Sequence, residues 1–424
     1  MNNILKQTIT NMRQQPLLTG LTIAGTALSI CLIMIVMMTR EAQIIDYGCE
    51  PYRSRTLYAT KMILKMKNGG YSSGSMQMKP IRELFAKLKS PERIALFSPM
   101  TSSVNVNMQG RDNVQTKAKA VNAAFFEVFP LKFIEGRAFT QEECNSNMPI
   151  AIISQKTCRD IFGQDKDLKG RTFLIENHEY QVAGIVKDVS PLLTSAYSEI
   201  WVPVSTVPGV AHPLGNTVNP EYSMGVALLA KSSADFSKIK NETERALTAY
   251  NKSISPDTLD LMEQPDIQEM YVNREWSNKA PDLTEIHLHY ALIFAILLIV
   301  PAINIASMTQ SRLRQRKEEI GIRRAFGARR STILMQTVTE SLLHTLASGL
   351  AGLLLCFAVC FMLGNYIFPY STFEEITDKQ LDADILFSPE IYGWALLFCL
   401  LLNLLSNIVP AWRASRSNIV EALK

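Results

Sequence analysis

Four long apolar runs are separated by stretches that have the hydrophobic pattern of a soluble protein. The runs are Leu17–Met38, Leu288–Met308, Ile333–Leu363 and Ile391–Val409. A helix of about 20 mostly apolar residues crosses the ~30 Å hydrocarbon layer of a bilayer, so the pattern predicts four transmembrane helices. The first run continues past a bulky Ile30 to Met38, which favours an uncleaved signal anchor over a cleaved signal peptide.

The charged residues between these runs orient the predicted helices. Eight lysines and arginines lie between residues 312 and 330, after the second run, whereas the loop after the third run is acidic. Because Lys and Arg accumulate in cytoplasmic loops, both termini are expected in the cytoplasm. We therefore expect a multi-pass protein of the cell inner membrane, in contact with the lipid bilayer.

This topology divides the chain into nine predicted segments. They are a cytoplasmic N-terminal segment at 1–16, transmembrane helix 1 at 17–39, an extracytoplasmic domain at 40–286, transmembrane helix 2 at 287–309, a cytoplasmic coupling segment at 310–331, transmembrane helix 3 at 332–364, an extracytoplasmic loop at 365–389, transmembrane helix 4 at 390–411 and a cytoplasmic tail at 412–424.

The domain between the first two spans mixes strand-like alternation with helical spacing. A strand is predicted at Arg55–Lys67, a turn or loop at residues 68–74, and helices at Pro80–Leu88 and Ala234–Tyr250. Further strands are predicted at Ser103–Met108, Lys117–Val121, Ile150–Ile153, Thr172–Ile175, Tyr180–Val186 and Ile200–Val204, with the fourth and fifth forming a hairpin. The fold class is thus an α+β membrane protein, with four transmembrane helices and a large two-lobed α+β extracytoplasmic domain between helices 1 and 2.

Motifs for catalysis are missing from the sequence. The glycine-rich stretch Gly69–Gly74 is followed by Ser75 and Met76, not by the Lys and Ser/Thr of a phosphate-binding loop. A net charge of +4 gives no reason to expect a nucleic-acid partner. We therefore expect no catalytic residues, no metal site and no cofactor bound by this chain.

The seven cysteines do not form a disulfide framework. Cys31, Cys356, Cys360 and Cys399 fall in predicted spans, where a thiol packs as a small apolar group. Cys49, Cys144 and Cys158 fall outside, where disulfides can form. A bridge between Cys144 and Cys158 is left open.

Several segments carry a family resemblance. Residues 314–355, with Glu-Ile-Gly at 319–321 and Ala-Phe-Gly-Ala at 325–328, resemble the FtsX-like permease domain of MacB-type and lipoprotein-releasing ABC systems, as does the ending PAWRASRSNIVEALK. The outside stretches VNAAFFEVFPLKFIEGRAFTQEE, IAIISQKTCRDIFGQ, YQVAGIVKDV and IWVPVS resemble the MacB-type extracytoplasmic domain. The resemblance covers essentially the whole chain, without a fused ATPase.

The resemblance implies a coupling helix that docks in a groove of a cytoplasmic ABC ATPase, which would be a separate chain holding ATP and Mg. The implied coupling residues are Glu319, Ile320, Gly321, Ile322, Arg323, Arg324, Ala325, Phe326, Gly327 and Ala328. Ile322 and Phe326 are one helical turn apart, and Gly327 suits a left-handed helix stop. The alternative is that the arginines only set topology and touch anionic lipid.

Small and polar residues in the spans predict helix packing. The resemblance places the first two spans at a homodimer interface, or at a heterodimer with a related permease. The candidate interface residues are Gly20, Ala24, Gly25, Ser29 and Asn304. Packing within one subunit remains open as an alternative. Glu340 and His344, one turn apart in the third span, are expected to bond each other.

The expected function is that of a permease subunit that couples ATP hydrolysis by a partner to motion of its outside domain. The expected task is export of drugs, peptides or toxins, with a periplasmic adaptor and an outer-membrane channel. Two alternatives remain: a lipoprotein-releasing permease, and a signalling protein that activates a cell-wall hydrolase and transports nothing. A membrane-anchored enzyme is the rival from a different class.

Overall fold

A computed structural model describes residues 16–108, 113–164, 166–207, 223–274, 279–315 and 330–367, together with positions 322, 326, 392–394, 396–397 and 400–401. The chain divides into two compact units. One contains Glu41–Leu283, and the other contains Met1–Arg40, Thr284–Pro369 and Leu381–Lys424. The predicted limits of the membrane and outside segments remain predictions.

Three long helices contain the first three of the long apolar runs: α1 (Pro16–Ile44), α8 (Leu283–Gln315) and α9 (Arg330–Ile367). In the part of the chain that the structure describes, Thr19–Ile44 and Val338–Met362 are long and apolar enough to cross a membrane. Helix α8 contributes a shorter apolar stretch, Leu283–Ile299. Most of the predicted fourth span lies outside the described residues, so four spans remain a prediction.

The unit containing Glu41–Leu283 is an α+β fold of thirteen described strands and six described short helices. The strands are β1 (Thr56–Ala59), β2 (Lys61–Lys65), β3 (Tyr71–Ser75), β4 (Arg93–Phe97), β5 (Ser102–Asn107), β6 (Val114–Val121), β7 (Phe133–Gly136), β8 (Ile150–Ser154), β9 (Thr172–Ile175), β10 (His178–Val186), β11 (Ile200–Pro203), β12 (Gly225–Leu229) and β13 (Thr258–Asp260). The helices are α2 (Met78–Leu84), α3 (Phe125–Val128), α4 (Gln141–Asn145), α5 (Gln155–Phe162), α6 (Phe236–Ser253) and α7 (Gln268–Asn273).

Ten of these strands form one sheet, and six of the ten close into a ring. The ring runs β5–β6–β11–β8–β10–β9 and returns to β5, because β5 pairs with both β6 and β9. Strands β4, β12 and β1 extend the sheet from β6, and β7 pairs with the C-terminal part of β10. Closing a ring removes two sheet edges that would otherwise expose unpaired backbone groups.

Three apolar clusters form the core of this unit. The ring strands and α5 surround one cluster, which includes Cys158 and Phe162. A second, rich in phenylalanine, gathers around α3 and includes Cys144 and Trp201. The third lies between the sheet and helices α2 and α6, and residues such as Leu84 and Ile239 are fully buried there. Non-directional burial of this apolar surface supplies the main driving force for the fold.

Most of the predicted elements outside the long helices are present, with two corrections. The strand predicted at Arg55–Lys67 is two strands, because the chain passes at Thr60 from the large sheet to a separate sheet of order β13–β2–β3. The loop predicted over residues 68–74 is a turn followed by strand β3, which pairs with β2. The predicted hairpin is present as β9 and β10, with left-handed Glu176 and Asn177 in its turn.

One glycine permits the close pairing of β7 and β10. Gly136 has a φ of +73°, and a Cβ added there would lie 2.2 Å from the carbonyl oxygen of Ala183. Across the pair, a Cβ on Gly184 would lie 2.9 Å from the Arg137 carbonyl oxygen. Within the Glu-Gly-Arg signature at residues 135–137, both the positive φ and the lack of room for a Cβ therefore require a glycine.

We predict that Gly136→Ala lowers the stability of the full chain by more than a positive φ alone accounts for. The matched control is Gly69→Ala, which has a φ of +82° but no atom within 4 Å of its added Cβ. Backbone strain alone is expected to cost Gly69→Ala about 1–3 kcal/mol. Denaturant unfolding in detergent compares the two variants, and equal losses would contradict the requirement for close approach at Gly136.

Candidate functional site

Two of the ten predicted coupling residues, Ile322 and Phe326, are described. Ile322 is helical, and the N–H of Phe326 donates a hydrogen bond of 3.0 Å to the Ile322 carbonyl oxygen, which forms one helical turn. The Ile322 side chain is 48% exposed and that of Phe326 is 89% exposed. The other coupling residues lie outside the described residues: Glu319, Ile320, Gly321, Arg323, Arg324, Ala325, Gly327 and Ala328. This turn therefore presents two large apolar side chains, and its docking role remains a prediction.

The predicted interface residues on α1 lie on different faces. Gly20 and Ala24 are exposed, whereas Ser29 is buried and its hydroxyl donates to the Gly25 carbonyl oxygen at 3.0 Å. The side chain of Asn304 lies outside the description. Gly20 and Ala24 thus remain accessible for the predicted interface between copies.

Helix α1 approaches helix α9 closely within one chain. A Cβ added to Gly352 would lie 2.9 Å from the Ala27 carbonyl oxygen and 3.0 Å from Ile30 Cβ. Small residues permit such packing in a membrane, where van der Waals contact replaces the hydrophobic effect. Further along α9, His344 Nδ1 lies 2.7 Å from the backbone oxygen of Glu340, so this ring nitrogen contacts the helix backbone.

A buried ion pair holds the last turn of α1 within the unit that contains Glu41–Leu283, which we call the strand-rich unit. Arg53 Nε donates to Glu50 Oε2 at 2.6 Å, and both side chains are 1% exposed. Arg53 Nη1 also donates to the carbonyl oxygens of Ala42 and Ile45, at 2.8 and 2.9 Å. The last carbonyls of a helix lack partners within it, and a cation is favourable there. Arg53 therefore caps α1 from within a buried site.

Glu50 extends this contact into the core. Its Oε1 accepts a hydrogen bond of 2.8 Å from the backbone N–H of Ala196. The Ala196 carbonyl oxygen in turn accepts from the indole Nε1 of Trp201, a fully buried residue of β11, at 3.1 Å. The end of α1 is thereby connected to the ring through the side chains of Arg53, Glu50 and Trp201 and the backbone of Ala196.

A second buried ion pair holds the segment that precedes α8. Arg274 contacts Asp266 through two nitrogens, Nε and Nη2, and the side chains are 1% and 0% exposed. Asp266 exchanges two backbone hydrogen bonds with Tyr58 of β1, at 2.7 and 2.8 Å. Burial raises the pKa of Asp266, and the Arg274 guanidinium opposes that shift.

This segment also contacts the last turn of α1 directly. The side-chain amide of Gln268 donates to the Gln43 carbonyl oxygen at 2.7 Å. The ring of Tyr271 stacks on Tyr58, with centroids 4.4 Å apart and an angle of 10° between the planes. We call the residues Gln43, Glu50, Arg53, Tyr58, Asp266, Gln268, Tyr271 and Arg274 the junction cluster. It connects the chain leaving α1, strand β1 and the chain leading to α8.

The junction cluster has no signature in the sequence. The spacing of Glu50 and Arg53 was visible in the sequence, but charged pairs three residues apart are common on exposed helices and turns. Burial distinguishes this pair. The Glu50 side chain accepts a hydrogen bond from the backbone of Ala196, which lies 146 positions further along the chain.

The cysteines of the strand-rich unit are not paired. Cys144 and Cys158 are free and belong to different core clusters, so the bridge left open above does not form. Burial raises the pKa of Cys144 to about 11, which keeps its thiol protonated and unreactive at neutral pH. In the described part of the chain, no group of three or more His, Cys, Asp or Glu side chains could hold a metal ion.

We predict that Arg53→Ala destabilises the full chain by about 3–5 kcal/mol, because it leaves Glu50 buried without its partner. The control is Lys65→Ala, which breaks the Lys65–Asp260 pair; those side chains are 58% and 40% exposed. Exposed pairs contribute at most about 1 kcal/mol. Both are measured by denaturant unfolding followed by tryptophan fluorescence, and similar losses in the two variants would refute the special role of the buried pair.

Comparison with known proteins assigns most of the chain to two family models. The model of the MacB-like periplasmic core domain matches residues 19–246, and that of the FtsX-like permease C-terminal domain matches residues 291–419. The macrolide export ATP-binding/permease protein MacB of Escherichia coli K12 is 24% identical over 327 residues, which cover 76% of this chain and 46% of that protein. The chain thus spans about half the length of the curated relatives it matches.

Solved structures of outside domains from such transporters also match. The periplasmic region of MacB from Actinobacillus actinomycetemcomitans is 13% identical, with a TM-score of 0.35, over 51% of this chain and 94% of that one. The extracellular domain of the ABC-type transporter YknZ from Gram-positive bacteria is 15% identical, with a TM-score of 0.35, over 48% and 99% of the respective chains.

Proposed function

The chain belongs to the family of MacB-like, FtsX-type ABC transporter permeases, and we propose that it transmits ATP-driven motion from the cytoplasm to its strand-rich unit. In this proposal the Ile322–Phe326 turn docks on a cytoplasmic ABC ATPase that is a separate chain. ATP and Mg are held by that partner, and this chain itself binds neither. The permease contributes no catalytic residue.

The observation that carries the proposal is the fixing of the end of α1 by Arg53. A helix can transmit tilt or rotation only if its end is fixed to what it must move. The last turn of α1 is held by Arg53 at the Ala42 and Ile45 carbonyl oxygens and by Gln268 at the Gln43 carbonyl oxygen. Buried, hydrogen-bonded groups are costly to separate, so the junction cluster resists fraying of this turn.

The exposed turn at Ile322 and Phe326 supports the docking part of the proposal. A phenylalanine that is 89% exposed is unfavourable in water, and a groove on a partner would cover it. The basic residues around the turn, between 312 and 330, support a cytoplasmic position for it by the positive-inside rule. We propose an inner-membrane location with four spans and both termini in the cytoplasm.

Export of drugs, peptides or toxins is the task we favour, with a homodimer of this chain, a periplasmic adaptor and an outer-membrane channel. The match to the macrolide exporter MacB supports this choice. Release of lipoproteins and activation of a cell-wall hydrolase use the same transmission of motion, and they stay as alternatives. Proteins that co-purify from the envelope distinguish the three.

The first test concerns docking. We expect Phe326→Ala to reduce recovery of an ABC ATPase in mild-detergent purification from native membranes, because it removes the most exposed apolar contact of the turn. Phe361→Ala is a matched control, since Phe361 is also 89% exposed but lies in the apolar stretch of α9. An unchanged ATPase yield from Phe326→Ala, or no ATPase with the native chain, would refute the docking proposal.

The second test concerns transmission. A spin label on Met148→Cys, a position that is 46% exposed, is expected to report an ATP-dependent change in the distance between two copies. Gln268→Ala removes one hydrogen bond from the junction cluster and should reduce that change while ATP hydrolysis continues. Gln141→Ala, which removes a hydrogen bond to Asn145 in exposed helix α4, serves as the control. The same response in both variants would contradict transmission through the junction.

A further inference from the structure

Sulfur atoms line a narrow crevice between helices α1 and α9. The crevice is too narrow to hold a water molecule and is lined by Met34, Met38, Leu353, Cys356, Phe357 and Cys360. Four of these six side chains carry sulfur. Cys356 and Cys360 are one turn apart on α9 and are 3% and 0% exposed, so both thiols face the buried side of the helix.

The spacing of the sulfur atoms matches a metal-binding geometry. Cys356 Sγ lies 3.9 Å from Met38 Sδ on α1 and 4.0 Å from Cys360 Sγ. Metal–sulfur bonds of about 2.3 Å place the three sulfurs of a trigonal site about 4.0 Å apart. Two of the three sulfur–sulfur separations that such a site requires are therefore present, and both start from Cys356 Sγ.

The chemistry of the lining selects the class of ion. Thiolate and thioether ligands are soft and prefer Cu(I), whereas Ca²⁺ and Mg²⁺ require oxygen ligands, and this lining offers no side-chain oxygen. Binding of Cu⁺ forms three Cu–S bonds, to the two cysteine thiolates and the Met38 thioether, and releases the two thiol protons to solvent, so the occupied site carries a net charge of −1.

We propose that Cys356, Cys360 and Met38 form a binding site for Cu(I) in the apolar part of this permease. Two ligands come from α9 and one from α1, so a bound ion links the two helices beside their close contact at Gly352. The site is independent of ATPase docking and of the junction cluster.

The test is a Cu(I) titration of the purified full chain in lipid nanodiscs, in competition with a chromophoric Cu(I) chelator under anaerobic conditions. We expect one Cu(I) per chain in the wild type. Loss of a ligand in Cys356→Ala or Cys360→Ala should weaken binding by at least about tenfold, since even outer-shell changes have effects of that size. X-ray absorption of the loaded protein should show sulfur as the only ligand atom.

A matched control separates this site from general thiol binding. Cys158→Ala removes a buried cysteine of the strand-rich unit and should leave the Cu(I) affinity unchanged. Thermal unfolding without metal establishes that each variant is folded, and Cys356→Ser provides a conservative replacement if Cys356→Ala is not. No Cu(I) bound by the wild type, or equal affinity in wild type and the folded Cys356 and Cys360 variants, would overturn the proposal and leave the thiols as apolar packing groups.

Discussion

The last turn of helix α1 carries carbonyl groups that no residue of the helix can satisfy, and the buried guanidinium of Arg53 satisfies two carbonyls at that end. Glu50 neutralises the charge of Arg53 and also accepts a hydrogen bond from the backbone of Ala196. Every further step of the proposed mechanism requires this connection. If the helix end frayed, movement of α1 would be lost as local disorder before it reached the sheet.

Stability alone does not explain why charges occupy this position. Replacing a buried ion pair by well-packed apolar residues is often neutral or stabilising, because desolvation of the charges offsets their attraction. What an ion pair adds is direction, since the guanidinium and carboxylate bond in few geometries. The bidentate Asp266–Arg274 pair has the same property and orients the segment before α8. Two directional pairs thus fix both chain ends that enter the strand-rich unit.

Helix α1 combines two kinds of packing along its length. At its C-terminal end, polar groups hold it by hydrogen bonds, whereas in its apolar part Gly352 and the sulfur side chains of α9 pack closely against it. In the proposed mechanism, a helix that is fixed at one end transmits a change of tilt, and a metal ion between α1 and α9 would restrict that change.

The sequence by itself determined the elements whose signal is local. The length of the apolar runs predicted α1 and α9, and the alternation of apolar and polar residues predicted β5, β6 and β8 to β10. Short sequence motifs predicted the family. Tertiary structure decided the rest. Strand β3 (Tyr71–Ser75) has the composition of a loop and is a strand because β2 pairs with it. Strand β1 ends before Thr60, whose backbone N–H donates a hydrogen bond to the side chain of Gln264, about 200 residues away. The burial of Glu50, Arg53, Asp266 and Arg274 and the meeting of Met38 with Cys356 likewise depend on distant segments, and no local pattern encodes a contact that exists only after the chain has folded.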